Sequence, residues 1–202
     1  MAKMQYHLET FQPEPKKYVL DSCIGRRCYD NPAYCDMLKT KFNDFSTSTT
    51  VFTSVSVYEI NKRVKCGFDE LHSQLESAIG SEIPIQKITC EMRELGIWLC
   101  DNIQGLHLPD NEILAYAMLT DSVLITCDKG LEDAARSVSQ HVINPDRTII
   151  ECTKIGTNFS KLVQNKVNQI KQKTYVPVPA IKVHLLEIPL KSTRKITWDT
   201  FA

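Results

Sequence analysis

The chain has 202 residues, with 24 Lys/Arg against 24 Asp/Glu and a formal net charge of +0. At 43% apolar and 24% charged it has a globular composition, which excludes disordered, collagen-like and coiled-coil readings. Its length allows one domain with an extension and a core that needs no disulfide or structural metal, and its neutrality counts against a protein that coats nucleic acid by bulk charge.

Residues 1–17 form a polar lead-in broken by Pro13 and Pro15, with no apolar core of signal-peptide length. No stretch reaches the ~20 apolar residues of a bilayer span, so a cytoplasmic protein with no membrane partner is expected. Tyr18-Val19-Leu20 reads as a short buried strand that delivers Asp21 at its carboxyl end. Asn31-Pro32 opens a helix whose apolar face is Tyr34, Met37, Leu38, Phe42 and Phe45. Ser46 to Thr50 is a polar connection, and Val51-Phe52-Thr53 a second strand. Ser56 and Glu59 then have the spacing of a capping box. Residues 68–80 and 87–104 carry helical periodicity.

Leu108 to Asp128 is the most legible block. Leu108-Pro109-Asp110 sets an acid at a helix start, Ile113, Leu114, Ala117 and Met118 supply its buried face, and Val123 to Thr126 is a compact strand followed by Asp128. A helix from about Gly130 to Ser137 and a strand His141 to Ile143 complete an α/β unit with a mostly parallel sheet. Thr157 to Lys173 is an amphipathic helix with Phe159, Leu162, Val163, Val167 and Ile170 on one face. An extended linker, Tyr175 to Pro179, and an alternating strand at Ile181, Val183 and Leu185 follow it. The expected organisation is a lead-in at 1–17, a domain at 18–152 and an extension at 153–202.

Eight cysteines in a chain without a secretory leader point to free thiols. Cys23, Cys28 and Cys35 make only a weak zinc pattern. The five histidines show no HExxH spacing, and P-loop and dinucleotide loops are absent. A haloacid-dehalogenase-type phosphatase needs D-x-D, and position 23 is cysteine.

Four acids remain: Asp21, Glu59, Asp110 and Asp128. Each has a plain structural explanation as a turn residue or a helix cap. Taken together they are better explained by one rim of a parallel sheet, where ligands bind beyond the strands' carboxyl ends. Converging anions repel unless a cation joins them, and oxygen ligands select hard ions such as Mg²⁺ or Mn²⁺, which suit phosphoryl chemistry.

The series YVLDS, SVSVYEI and LPDNEILAYAMLTDSVLITCDKG resembles the PIN-domain nucleases, in particular the VapC-like toxins of toxin–antitoxin pairs, over about residues 18–145. The resemblance implies a PIN-like α/β fold, a central mostly parallel sheet flanked by helices, with the basic extension appended. It implies a metal-dependent endoribonuclease that leaves a 5′-phosphate and a 3′-hydroxyl. Asp21 and Asp128 would be direct ligands of one or two Mg²⁺ or Mn²⁺ ions, and Glu59 and Asp110 would complete the site directly or by orienting water. Ser22 and Thr126 would hydrogen-bond the acids. Arg26 and Arg27 follow Asp21 closely enough to reach a substrate phosphate, a solvated surface pair being the plainer reading. RNA, an antitoxin or other regulatory protein, and a second copy of the chain are the implied partners. Alternatives are a non-catalytic PIN module that binds RNA or protein and a DNA- or structure-specific nuclease of related fold. The chain departs from compact toxins in its long continuation past the last strand.

That continuation resolves the neutral total. Residues 1–152 hold fifteen Lys/Arg against twenty-two Asp/Glu, a net of −7, and residues 153–202 hold nine against two, a net of +7. The basic part is expected to contact RNA phosphate, to dock on the acidic domain or a partner, or to be a solvated lysine face.

Overall fold

The computed structural model describes residues 16–41, 49–64, 67–80, 82–147 and 158–174. Strand β1 (Lys17–Leu20) leads into α1 (Ser22–Asp30) and α2 (Pro32–Lys41). Strand β2 (Thr49–Thr53), α3 (Ser54–Arg63), α4 (Phe68–Ile79) and β3 (Ile85–Gln86) follow. The second half runs α5 (Cys90–Asn102), α6 (Asp110–Leu119), β4 (Val123–Ile125), α7 (Lys129–Ser137), β5 (Val142–Ile143) and α8 (Asn158–Thr174).

All strand pairs are parallel, in the order β3-β2-β1-β4-β5. The strands read as continuous apolar runs because both sheet faces are covered. Successive residues point to opposite faces, so Tyr18 and Leu20 join one core with Phe52, Val123 and Ile125, while Val19 joins the other with Val51, Leu124 and Val142. The first core is closed by Ile24 and Cys28 of α1, Cys35 and Leu38 of α2, Ile60 of α3 and Leu71 and Leu75 of α4. The second is closed by Leu95 and Leu99 of α5, Ile113 and Leu114 of α6, Leu131 and Ala135 of α7, and Val163, Val167 and Ile170 of α8. The expected α/β class, a parallel sheet flanked by helices, is what the structure shows.

Several local expectations change. Helix α1 is an addition to the expected elements: its buried set is only Ile24, Gly25 and Cys28, too sparse for a periodic signal. Strand β2 starts at Thr49 instead of Val51, because Lys17 and Tyr18 pair with Thr49 and Thr50. Strand β3 adds two residues before α5, which is shorter than the 87–104 stretch. The capping box at Ser56 and Glu59 does not form. Thr53 caps α3 by accepting the Ser56 N–H at 3.2 Å, and Ser56 donates its hydroxyl to the Leu20 carbonyl. Leu162 is 51% exposed and not part of the buried face of α8. Phe42, Phe45, the linker 175–179 and the strand at 181–185 lie outside the described residues.

Cys23, Cys28, Cys35, Cys90, Cys100 and Cys127 are free thiols. Among the described residues no helix is long and apolar enough to cross a membrane. Three of the four lysines of α8 meet acids of the sheet domain: Lys166 and Lys173 reach Glu94 at 2.9 and 3.3 Å, and Lys171 reaches Asp121 at 2.7 Å.

Candidate metal centre

The sheet order places β2 and β3 to one side of β1 and β4 and β5 to the other. The chain thus changes direction between β1 and β4, where a parallel sheet opens a crevice at its carboxyl edge. Asp21 follows β1 at this edge, and its N–H donates to the Ile125 carbonyl at 3.0 Å, which locks the two strand ends together. Thr126 follows β4, and Asp128 caps α7 by accepting the Leu131 N–H on Oδ1 at 3.0 Å. Asp110 is the first residue of α6, and Glu59 lies in α3, whose start is tied to the end of β1 through Ser56.

Asp21, Glu59 and Asp110 each bring a carboxylate oxygen to a common point, all within 4.8 Å of one another. Asp128 lies outside this close trio but lines the same pocket, about 280 Å³ in volume, with Ser22, Cys23, Arg26 and Arg63. The acids come from four separate segments, so only the folded sheet assembles them.

Each of the hydrogen-bonded acids is held on one oxygen by the protein. Thr126 donates its hydroxyl to Asp21 Oδ2 at 2.7 Å, and the Cys23 thiol donates to the same oxygen at 3.0 Å. Ser22 donates to Glu59 Oε2 at 2.7 Å. Thr126 Oγ1 also accepts the Asp128 N–H at 2.9 Å, so one hydroxyl ties Asp21 to the Asp128 turn. Cys23 Sγ in turn accepts the Cys127 N–H at 3.1 Å. The partners shown for Asp21 and Glu59 fall on a single oxygen of each.

The electrostatics carry the mark of this crowding. Burial, then Asp21, Asp128 and Glu59, push the Asp110 carboxyl up to about 7, while Arg63 acts in the opposite direction. Like charges in a part-buried site are costly unless a proton or a cation separates them. The donors are all carboxylate oxygens, a set that fits Mg²⁺ or Mn²⁺ and does not fit soft metals.

The two arginines expected near a substrate part company. Arg26 lines the pocket, whereas Arg27 forms an ion pair with Asp146 and lies 5.8 Å from the Tyr34 ring centroid. Cys23 and Arg63 were missed from sequence. A cysteine two positions after a strand-end aspartate carries no signal of its own, and Arg63 arrives through the packing of α3 beside α1. Cys28 and Cys35 are buried in the core on one side of the sheet while Cys23 turns to Asp21, so the three do not form one cluster.

The parallel order β3-β2-β1-β4-β5, with the acids at its carboxyl edge, is the α/β architecture expected from the sequence. No protein-family model matches the sequence, and no curated protein does either. The structure is similar to a chain of VapBC2 from Rickettsia felis bound to a DNA fragment from its promoter. That similarity has a TM-score of 0.47 and 16% identity, over 63% of this chain and 98% of that one. It is also similar to a chain of FitAB bound to the IR36 DNA fragment, at a TM-score of 0.47 and 15% identity, over 66% of this chain and 99% of that one.

Proposed function

We propose that this chain is a Mg²⁺- or Mn²⁺-dependent endoribonuclease that hydrolyses RNA phosphodiester bonds, of the VapC-like kind that an antitoxin restrains. The observation that carries the reading is the convergence of Asp21, Glu59 and Asp110, with ligand oxygens within 4.8 Å, in a pocket that Asp128 also lines. Those three would hold the ion, and Asp128 would add charge at the pocket mouth. When bound, such an ion supplies Lewis-acid chemistry, lowering the pKa of a water and offsetting charge on a phosphodiester.

The chain's own residues prepare the site. Thr126, Cys23 and Ser22 fix one oxygen of Asp21 and of Glu59, so these carboxylates need little reorganisation to accept a ligand. Arg26 and Arg63 stand at the rim, where they attract the phosphate past the repulsion of the acids. Asp110, whose carboxyl is pushed up to about 7, would have to be deprotonated to hold the ion with Asp21 and Glu59.

The test uses single-stranded RNA with Mn²⁺ or with EDTA, alongside Asp21→Asn and Asp128→Asn. Cleavage should require the metal and fall in Asp21→Asn by more than the ~10–100-fold typical of removing an outer partner. Cleavage that survives EDTA sinks the carboxylate mechanism, and RNA binding without cleavage under every metal moves the chain to the non-catalytic class. Restraint by an antitoxin is tested separately, by restoring activity when a co-purified small protein is removed.

A further inference from the structure

Six arginines lie among the described residues. Arg27 pairs with Asp146, Arg93 with Glu112, and Arg136 and Arg147 with Glu132. Arg26 and Arg63 have no salt bridge to any described carboxylate, and both are exposed.

These two occupy a junction. They line the acidic pocket, and they also line a second cleft of about 580 Å³ together with Tyr29, Asp30 and Val64. Arg26, Tyr29 and Asp30 belong to α1, and Arg63 ends α3, whose C-cap is Val64. The two helices are held close at Gly25, where an added Cβ would come within 2.8 Å of Ile60 Cδ1, so the spacing of the cleft walls is set by packing.

The chemistry of the second cleft is graded. At the junction stand two guanidiniums, planar forks that match phosphate oxygens. Farther along, Tyr29 and Val64 supply a ring and an apolar wall, and Asp30 a carboxylate. A carboxylate there disfavours a second phosphate and suits the amino or hydroxyl donors of a nucleoside. We infer that this cleft is a nucleotide subsite: Arg26 and Arg63 hold the phosphate next to the scissile one, and the base of that nucleotide stacks on Tyr29. The inference rests on the nuclease reading for the direction of the strand, which runs from the acidic pocket into the cleft.

The experiment measures anisotropy of a labelled single-stranded RNA of about 12 nucleotides over a range of salt. The full chain is used in Mg²⁺, with Asp21→Asn as background to suppress cleavage and remove one repelling charge. Arg26→Gln with Arg63→Gln should reduce the slope of log K against log salt by about 0.7, the share of the one single-strand phosphate that the two arginines neutralise. Arg63→Lys should restore part of that slope. Tyr29→Leu should weaken binding about tenfold with the slope unchanged, and Tyr29→Phe should retain affinity. A salt slope indifferent to both arginines, or no RNA binding by the background chain, overturns the subsite. Cleavage by the wild-type chain is scored apart: a chain that cleaves while its slope ignores both arginines loses only the subsite. One that binds with the expected slopes yet cleaves under no metal keeps the subsite and loses the nuclease reading.

Discussion

Burial and three neighbouring carboxylates hold the Asp110 proton up to about pH 7, far above the ordinary 3.8 of an aspartate. The folded chain therefore binds more protons than the unfolded chain between those two values, and linkage makes stability fall as pH rises through that window. The stabilising effect of the retained proton is full below about 3.8 and lost above about 7. In EDTA, Asp110→Asn should melt at about the same temperature as wild type near pH 5. At pH 8 it should melt about 2–4 °C higher, the shift expected for ~1 kcal/mol of relieved repulsion. Mn²⁺ should reverse the order, because only the wild-type carboxylate gains from the cation, and Mn²⁺ affinity should climb with pH up to about 7. Equal melting curves for the two proteins at both pH values would contradict the electrostatic account. Thr126 tests the support of the trio. Its hydroxyl is fully buried, donates to Asp21 and accepts from the Asp128 N–H. Thr126→Val keeps the shape but removes both bonds, and should weaken Mn²⁺ binding by about 10–100-fold in calorimetry.

At the scale of elements, the close approach of α5 and α6 sets where Asp110 begins its helix. Gly96 faces Asn111, and a Cβ there would lie 3.1 Å from the amide nitrogen and 3.3 Å from the backbone oxygen. A backbone atom cannot swing away as a side-chain tip can, so Gly96→Val should force α5 off α6 at a cost of about 1–3 kcal/mol. Denaturant unfolding should show it, together with weaker Mn²⁺ binding as the Asp110 end of α6 shifts. Unchanged metal affinity in a destabilised variant would mean that α6 is positioned by the sheet alone. The same scale explains what is legible in the sequence. Strands β1 and β4 are legible because doubly covered parallel strands are unbroken apolar runs. Helices α4 and α7 are legible because their periodicity is dense, whereas α6, buried on every side from Asn111 to Met118, is legible from its apolar run behind Pro109 and Asp110. Helix α1 is not, since Gly25 and the polar stretch around it make sense only against Ile60 and Phe52. Strand β3 is not, because two residues hold no alternation and Ile85 is 45% exposed. The four acids announce themselves by standing at strand ends and helix starts. Their hydrogen-bond partner Cys23 and the rim cation Arg63 are products of tertiary packing, which leaves no local trace.

Across the whole molecule, the opposite charges of the two parts of the chain meet at α8. Two of its lysines share Glu94 and a third takes Asp121, so this face of the helix pairs with two acids of the sheet domain. Exposed ion pairs contribute little each, with typical values of about 0–1 kcal/mol. The apolar side of the same helix carries more, for Val163, Val167 and Ile170 are essentially buried against α5 and α6 in the core that backs β1 and β4. The order of effects is therefore predictable. Ile170→Ala should cost about 2–5 kcal/mol, because the cavity lies in a core with little room to collapse. Lys166→Gln should cost less than about 1 kcal/mol and lose even that in high salt. Urea unfolding of both variants at low and high salt separates the two contributions. If Lys166→Gln proved as damaging as Ile170→Ala, α8 would be an electrostatic appendage held from outside. The expected order makes it part of the core, and the acid-bearing edge would then depend on residues well beyond the last strand.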